Sequence, residues 1–118
     1  MRFANAEHLS FLLQTRERFC VSIFLPTHRA GPEIRQDPIR LKNLLKQAES
    51  RLIALGHKPV KARELLAPAR QLTERGTFWR HQEDGLAVFL APGLFEYLCT
   101  PLHFEEFVSV TDSFEISP

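Results

Sequence analysis

Cysteine is scarce in this sequence, with Cys20 and Cys99 the only two in 118 residues. Both fall in apolar, strand-like segments, outside any Cys-x-x-Cys pair and away from bases that would lower a thiol pKa. Two buried reduced thiols are therefore expected, not a disulfide or a nucleophile. Long apolar runs are absent as well. The longest, Gly85 to Ala91, is far too short to span a bilayer, and the opening MRFANAEHLSFLLQTRERF has no apolar signal core or small-residue cleavage site. A cytoplasmic protein without a membrane segment is the expectation. Glycine-rich phosphate loops are missing: neither a Walker A sequence nor G-x-G-x-x-G occurs, and Gly31 and Gly93 stand alone. Ser22 and Ser109 lie in strand-like runs with no G-x-S-x-G elbow around them. No self-sufficient catalytic motif, repeat or low-complexity tract is found.

The last third of the chain has no base. All fifteen Lys and Arg lie in residues 1 to 81 beside seven acids, whereas residues 82 to 118 hold seven acids alone, so the net charge of +1 conceals a dipolar layout. Such a layout favours an anionic partner on one side, unless the two groups solvate their own faces or pair across the fold.

What is present suits one soluble domain. The composition is 44% hydrophobic and 25% charged, and a chain of this size buries roughly two-thirds of the surface it exposes when unfolded. Asn5 is placed to cap a helix over Glu7 to Arg16, with Leu9, Leu12 and Leu13 at helical spacing. Cys20 to Leu25 is a β-branched and aromatic run stopped by Pro26, which predicts a buried strand. Residues 27 to 36 form a loop, and Asp37-Pro38 supplies an N-cap with proline at the first helical position. The helix that follows carries Leu41, Leu44, Leu45, Ala48, Leu52 and Leu55 as its apolar stripe, and Gly56 ends it.

A further helix is predicted over Val60 to Arg75, with Leu65, Leu66, Ala69 and Leu72 inward, a kink or restart at Pro68, and Gly76 as its stop. Leu86 to Ala91, Leu94 to Cys99 and Phe104 to Val110 predict three strands. The order is helix, strand, two or three helices, three strands. That pattern fits α/β or α+β, a mixed sheet of about four strands with helices packed on it. The uncapped finish at Phe114 to Pro118 suggests the N-terminal domain of a longer protein.

Three stretches carry candidate chemistry. From His28 to Lys46 there are five bases, Arg29, Arg35, Arg40, Lys42 and Lys46, against Glu33 and Asp37. Arg40 in the first helical turn opposes the helix dipole unless an anion lies nearby, and a helix N-terminus flanked by guanidinium forks suits phosphate. His81, Glu83 and Asp84 precede a strand and, with His28, could form a metal or acid-base site if the loops meet; Asp84-Gly85 is more economically a tight turn. Phe78-Trp79-Arg80 offers rings and a cation to a nucleobase, although such a pair more often caps a core at a helix-to-strand junction.

The run Val21-Ser-Ile-Phe-Leu-Pro-Thr27, a charged loop, a basic amphipathic helix and then Asp84-Gly-Leu-Ala-Val-Phe-Leu90 resembles the N-terminal domain of archaeo-eukaryotic class-I peptide chain release factors. It is closest in texture to their bacterial homologues, over roughly residues 20 to 112. The resemblance implies a multidomain, ribosome-associated protein whose N-terminal α/β domain approaches the decoding centre. The Asn-Ile-Lys-Ser tetrapeptide of stop-codon readers is absent; the corresponding stretch is Ile39-Arg-Leu-Lys-Asn43. The Gly-Gly-Gln tripeptide that promotes peptidyl-tRNA hydrolysis belongs to the family's middle domain and does not occur here, so no catalytic residue carries over.

The expected function is therefore a non-catalytic domain binding ribosomal RNA, in termination, ribosome rescue or dormancy. His28, Arg29, Arg35, Arg40, Lys42 and Lys46 are its expected phosphate contacts, and Asn43 the contact to a base edge or 2′-OH. No cofactor or metal is expected. The alternatives are a module docking on an acidic protein or on further domains of its own chain, and a small hydrolase or metal enzyme using His28, His81 and Asp84.

Overall fold

A computed structural model describes residues 16–113. The elements are β1 (Arg16–Pro26), a 3-10 turn (Pro32–Gln36), α1 (Asp37–Ala54), α2 (Pro59–Leu72), a short α3 (Gly76–Arg80), β2 (Gly85–Ala91), β3 (Leu94–Thr100) and β4 (Phe107–Ser113). The four strands form one sheet in the order β3-β2-β1-β4. Helices and sheet together give the expected α/β or α+β class.

All three strand pairings are antiparallel, where a mixed sheet was expected. The reason is the parity of the helices. A single crossover helix would return the chain to the far end of the sheet and make β2 parallel to β1. Here α1 and α2 form a hairpin joined by a four-residue connection, so the chain comes back to the end where β1 stopped, and Pro26 pairs with Gly85.

Residues 20 to 25 of β1 and all of β2 are buried without alternation, as expected of central strands covered on both faces. One face carries Val21, Ile23, Leu25, Leu86, Val88, Leu90 and Val108 against the helices. From α1 come Leu41, Leu44, Leu45, Ala48 and Leu52, and from α2 come Ala62, Leu66, Ala69 and Leu72. Burial of each large apolar side chain contributes about 2 kcal/mol, so this face is the main source of stability. The other face gathers Cys20, Phe24, Ala87, Phe89 and Ala91, with Phe104 and Phe107 packed against them. Phe24 meets Phe104 edge-on at 5.0 Å and Phe89 at 6.0 Å.

Several local expectations change. The helix over Glu7 to Arg16, with its Asn5 cap, falls outside the described residues except for Arg16, which belongs to β1. The loop from 27 to 36 contains the 3-10 turn. Asp37 does not cap α1: it is the first helical residue, and its carboxylate turns back to the preceding loop. Leu55 is 56% exposed, because α1 stops at Ala54 and Leu55 lies past the buried stripe. Gly56 does end that helix, at φ 105°, with Gly56 N–H donating to the Ile53 carbonyl and His57 N–H to that of Leu52.

The α2 helix runs as one element through Pro68, whose missing N–H leaves only the carbonyl of Glu64, an exposed residue that water reaches. Leu66, Ala69 and Leu72 are buried as expected and Leu65 is half-buried. Gly76 opens α3 instead of closing α2, which ends at Leu72, where the Trp79 indole N–H donates to the carbonyl at 2.7 Å. The last strand starts at Phe107, not Phe104, since residues 101 to 106 cross the end of the sheet from one edge to the other.

Candidate functional site

The charged loop after β1 is tied at both ends. Thr27 N–H donates to the Asp84 carbonyl at 3.1 Å and its hydroxyl to the Glu83 carbonyl at 2.8 Å, which fixes the loop to the turn before β2. One residue on, His28 N–H donates to Asp37 Oδ2 at 3.0 Å, and His28 Nδ1 lies 2.8 Å from Asp37 Oδ1. Arg40 Nη1 donates to the same Oδ1 at 3.0 Å. Asp37 is fully buried, and that burial raises its pKa, opposed by the hydrogen bonds from His28 and the charge of Arg40. An ionised Asp37 selects the His28 tautomer with its proton on Nδ1.

Glu33 nearby and three acids from distant parts of the chain complete the cluster. Arg29 Nε donates to Asp84 Oδ1 at 3.1 Å, with Glu83 at 3.8 Å. Arg40 lies 3.6 Å from Glu33 and 3.9 Å from Glu106. The network thus joins the β1 exit, the start of α1, the turn before β2 and the crossing segment before β4. Three of the seven residues singled out in the sequence, His28, Arg29 and Arg40, have internal acidic partners here.

The other four face outward. Arg35 on the 3-10 turn and Lys42, Asn43 and Lys46 on α1 are exposed, and no ion pair is found for these three bases among the described residues. At 1.5 Å per residue the ammonium-bearing positions 42 and 46 sit about 6 Å apart along the helix, on one face. Ile39 and Ile53, 49% and 38% exposed, share that face. The remaining bases of the hairpin mostly have acids beside them: Glu49 meets Arg63 and Arg70, and Lys61 meets Glu64.

The other candidates separate. His81 Nδ1 pairs with the Thr77 carbonyl, His28 with Asp37 and Asp84 with Arg29. Among the described residues no group of three or more His, Cys, Asp or Glu could hold a metal ion. Trp79 is buried with its ring edge-on to Phe78, which in turn packs on Tyr97, so this aromatic pair caps the core. Among the described residues no helix is long and apolar enough to cross a membrane.

Sequence reasoning missed Glu106, Glu83 and Asp84 as partners of Arg29 and Arg40, since no local pattern links residues 54 or more positions apart. It also missed Asp37 as a buried acceptor; Asp-Pro at a helix start has the same spelling for a cap and for a reversed bond.

No protein-family model matches the chain, and no curated protein matches it.

Proposed function

We propose that this domain binds the phosphate backbone of RNA, as the non-catalytic, ribosome-contacting part of a cytoplasmic protein resembling the bacterial release-factor homologues. The observation that carries the reading is the outer face of α1 and its preceding turn, where Arg35, Lys42 and Lys46 stand exposed with no acid paired to them among the described residues. Mobile lysines and a guanidinium fork lose little on meeting phosphate if no internal ion pair has to break. His28, Arg29 and Arg40 take a different role in this reading. They hold the loop and the first turn of α1 in place, and Asn43 offers an amide to a base edge or 2′-OH.

Three phosphate contacts predict a logarithmic salt slope of about −2 for single-stranded RNA. The test is co-sedimentation with purified ribosomes across a salt series, comparing wild type with the triple variant Arg35→Glu, Lys42→Glu, Lys46→Glu. Salt-sensitive binding lost in the variant, at unchanged thermal stability, is the expected result. Undiminished binding by the variant rejects the surface.

Ile39 and Ile53 favour a second reading, in which the same stripe docks on an acidic protein. Apolar contacts resist salt, so a shallow slope with loss of binding in Ile39→Ser would select it.

A further inference from the structure

Among the described residues the sheet has two outer edges, formed by β3 and β4, and β4 turns main-chain groups outward. Thr27 N–H points to β2, where it meets the Asp84 carbonyl, so by two-residue alternation the peptide groups of Ile23 point to β2 as well. Val108, opposite Ile23 on the other side, must then turn its own N–H and C=O away from β1, out of the sheet. The position of Arg51 agrees, because its Nη1 donates to the Val108 carbonyl from the last turns of α1. Val110, two residues on, faces the same way, and no hydrogen bond to its N–H or C=O is found among the described residues.

A groove of about 450 Å³ runs along this edge, between Arg51, Ala54 and Leu55 on α1 and residues 107 to 111 of β4. Its apolar wall includes Leu55, which is 56% exposed, with Ala54, Val108 and Val110. Among the described residues Arg51 is its only charged lining residue. Natural edge strands are guarded against stray pairing, and Arg51 performs that service at the Val108 carbonyl. Its guanidinium sits where the N–H of a fifth strand would lie.

We propose that this edge binds an extended peptide segment of a protein partner by strand addition. The segment has apolar side chains at alternate positions toward α1 and a carboxylate among them. Main-chain pairing with Val108 and Val110 supplies the register, Ala54 and Leu55 take the flanking apolar side chains, and Arg51 passes from the Val108 carbonyl to the carboxylate. A second copy of the chain is a poorer occupant. Arg51, Ala54 and Leu55 border the outer edge, and in a two-fold edge pairing the α1 helices of both copies would crowd into that space.

The probe is a fluorescein-labelled heptapeptide of threonines with valine at its second and sixth positions and glutamate at its fourth, titrated with the protein by fluorescence anisotropy. Saturable binding is expected, weakened roughly tenfold by lysine in place of the glutamate and by Val110→Pro. Proline there removes an outward N–H and no ladder bond, so circular dichroism and Tm should stay close to wild type. Leu55→Glu, at an exposed site, gives the same loss without touching the sheet and decides the matter if the proline variant misfolds. No binding, or equal binding by wild type and both variants, overturns the proposal. So does a wild-type dimer abolished by Val110→Pro, which would give the edge to a second copy.

Discussion

Asp37 is the residue on which the charged loop depends. Its carboxylate, out of reach of water, accepts from the His28 backbone, the His28 ring and Arg40. Removing one member of a buried ionic cluster strands the others, and Asp37→Ala should cost about 3 kcal/mol in urea denaturation. The pH dependence follows from burial. The pKa of Asp37 is raised above 3.8 in the fold, so between 3.8 and that higher value the folded state binds more protons than the unfolded one. This group's contribution to stability therefore grows as pH falls through the window. Wild type should gain on Asp37→Asn when both are acidified from neutral toward about pH 4. A gap moving the other way would mean that the fold favours the ionised carboxylate.

At the scale of elements, the crossing segment between β3 and β4 sets the tightest condition. It passes over the first residue of β2, where a Cβ on Gly85 would collide with the Leu102 carbonyl oxygen and stand 2.7 Å from the Phe104 ring. Gly85→Ala should cost about 3 kcal/mol, because backbone and ring must both move. Gly76→Ala, which meets nothing within 4 Å, should change stability by less than about 0.5 kcal/mol; chemical denaturation compares the two.

The elements themselves were largely legible in the sequence. The β1 and β2 runs, the five buried α1 positions and the glycine that ends α1 are written in local periodicity and turn chemistry, which a sequence displays directly. Strand direction was not, since it depends on two helices returning the chain to its starting end. The Phe104 boundary was illegible for a related reason: an aromatic residue is spelled the same whether it pairs in a strand or packs beneath one.

Across the whole molecule, folding redistributes the charge that the sequence segregates. Acids of the base-free last third return to Arg29 and Arg40, which closes one end of the sheet, while Arg35, Lys42 and Lys46 keep their charge facing water. The candidate site was thus half legible: the basic segment could be read, but its division into paired and open cations rests on the inward turn of Asp37 and on acids more than fifty positions away, neither of which local spacing displays. Exposed ion pairs contribute little to stability. Raising salt from about 0.05 to about 0.5 M should therefore shift Tm by only a few degrees while sharply reducing any RNA binding, which thermal scans and co-sedimentation at matched salt would check. Trp79, the only tryptophan in the chain, lies against Phe78 at the meeting of α2, α3 and the sheet and donates to the last carbonyl of α2. Nature has left a single fluorophore at the joint between the helical layer and the strands, so its emission reports the parting of those layers without any added label.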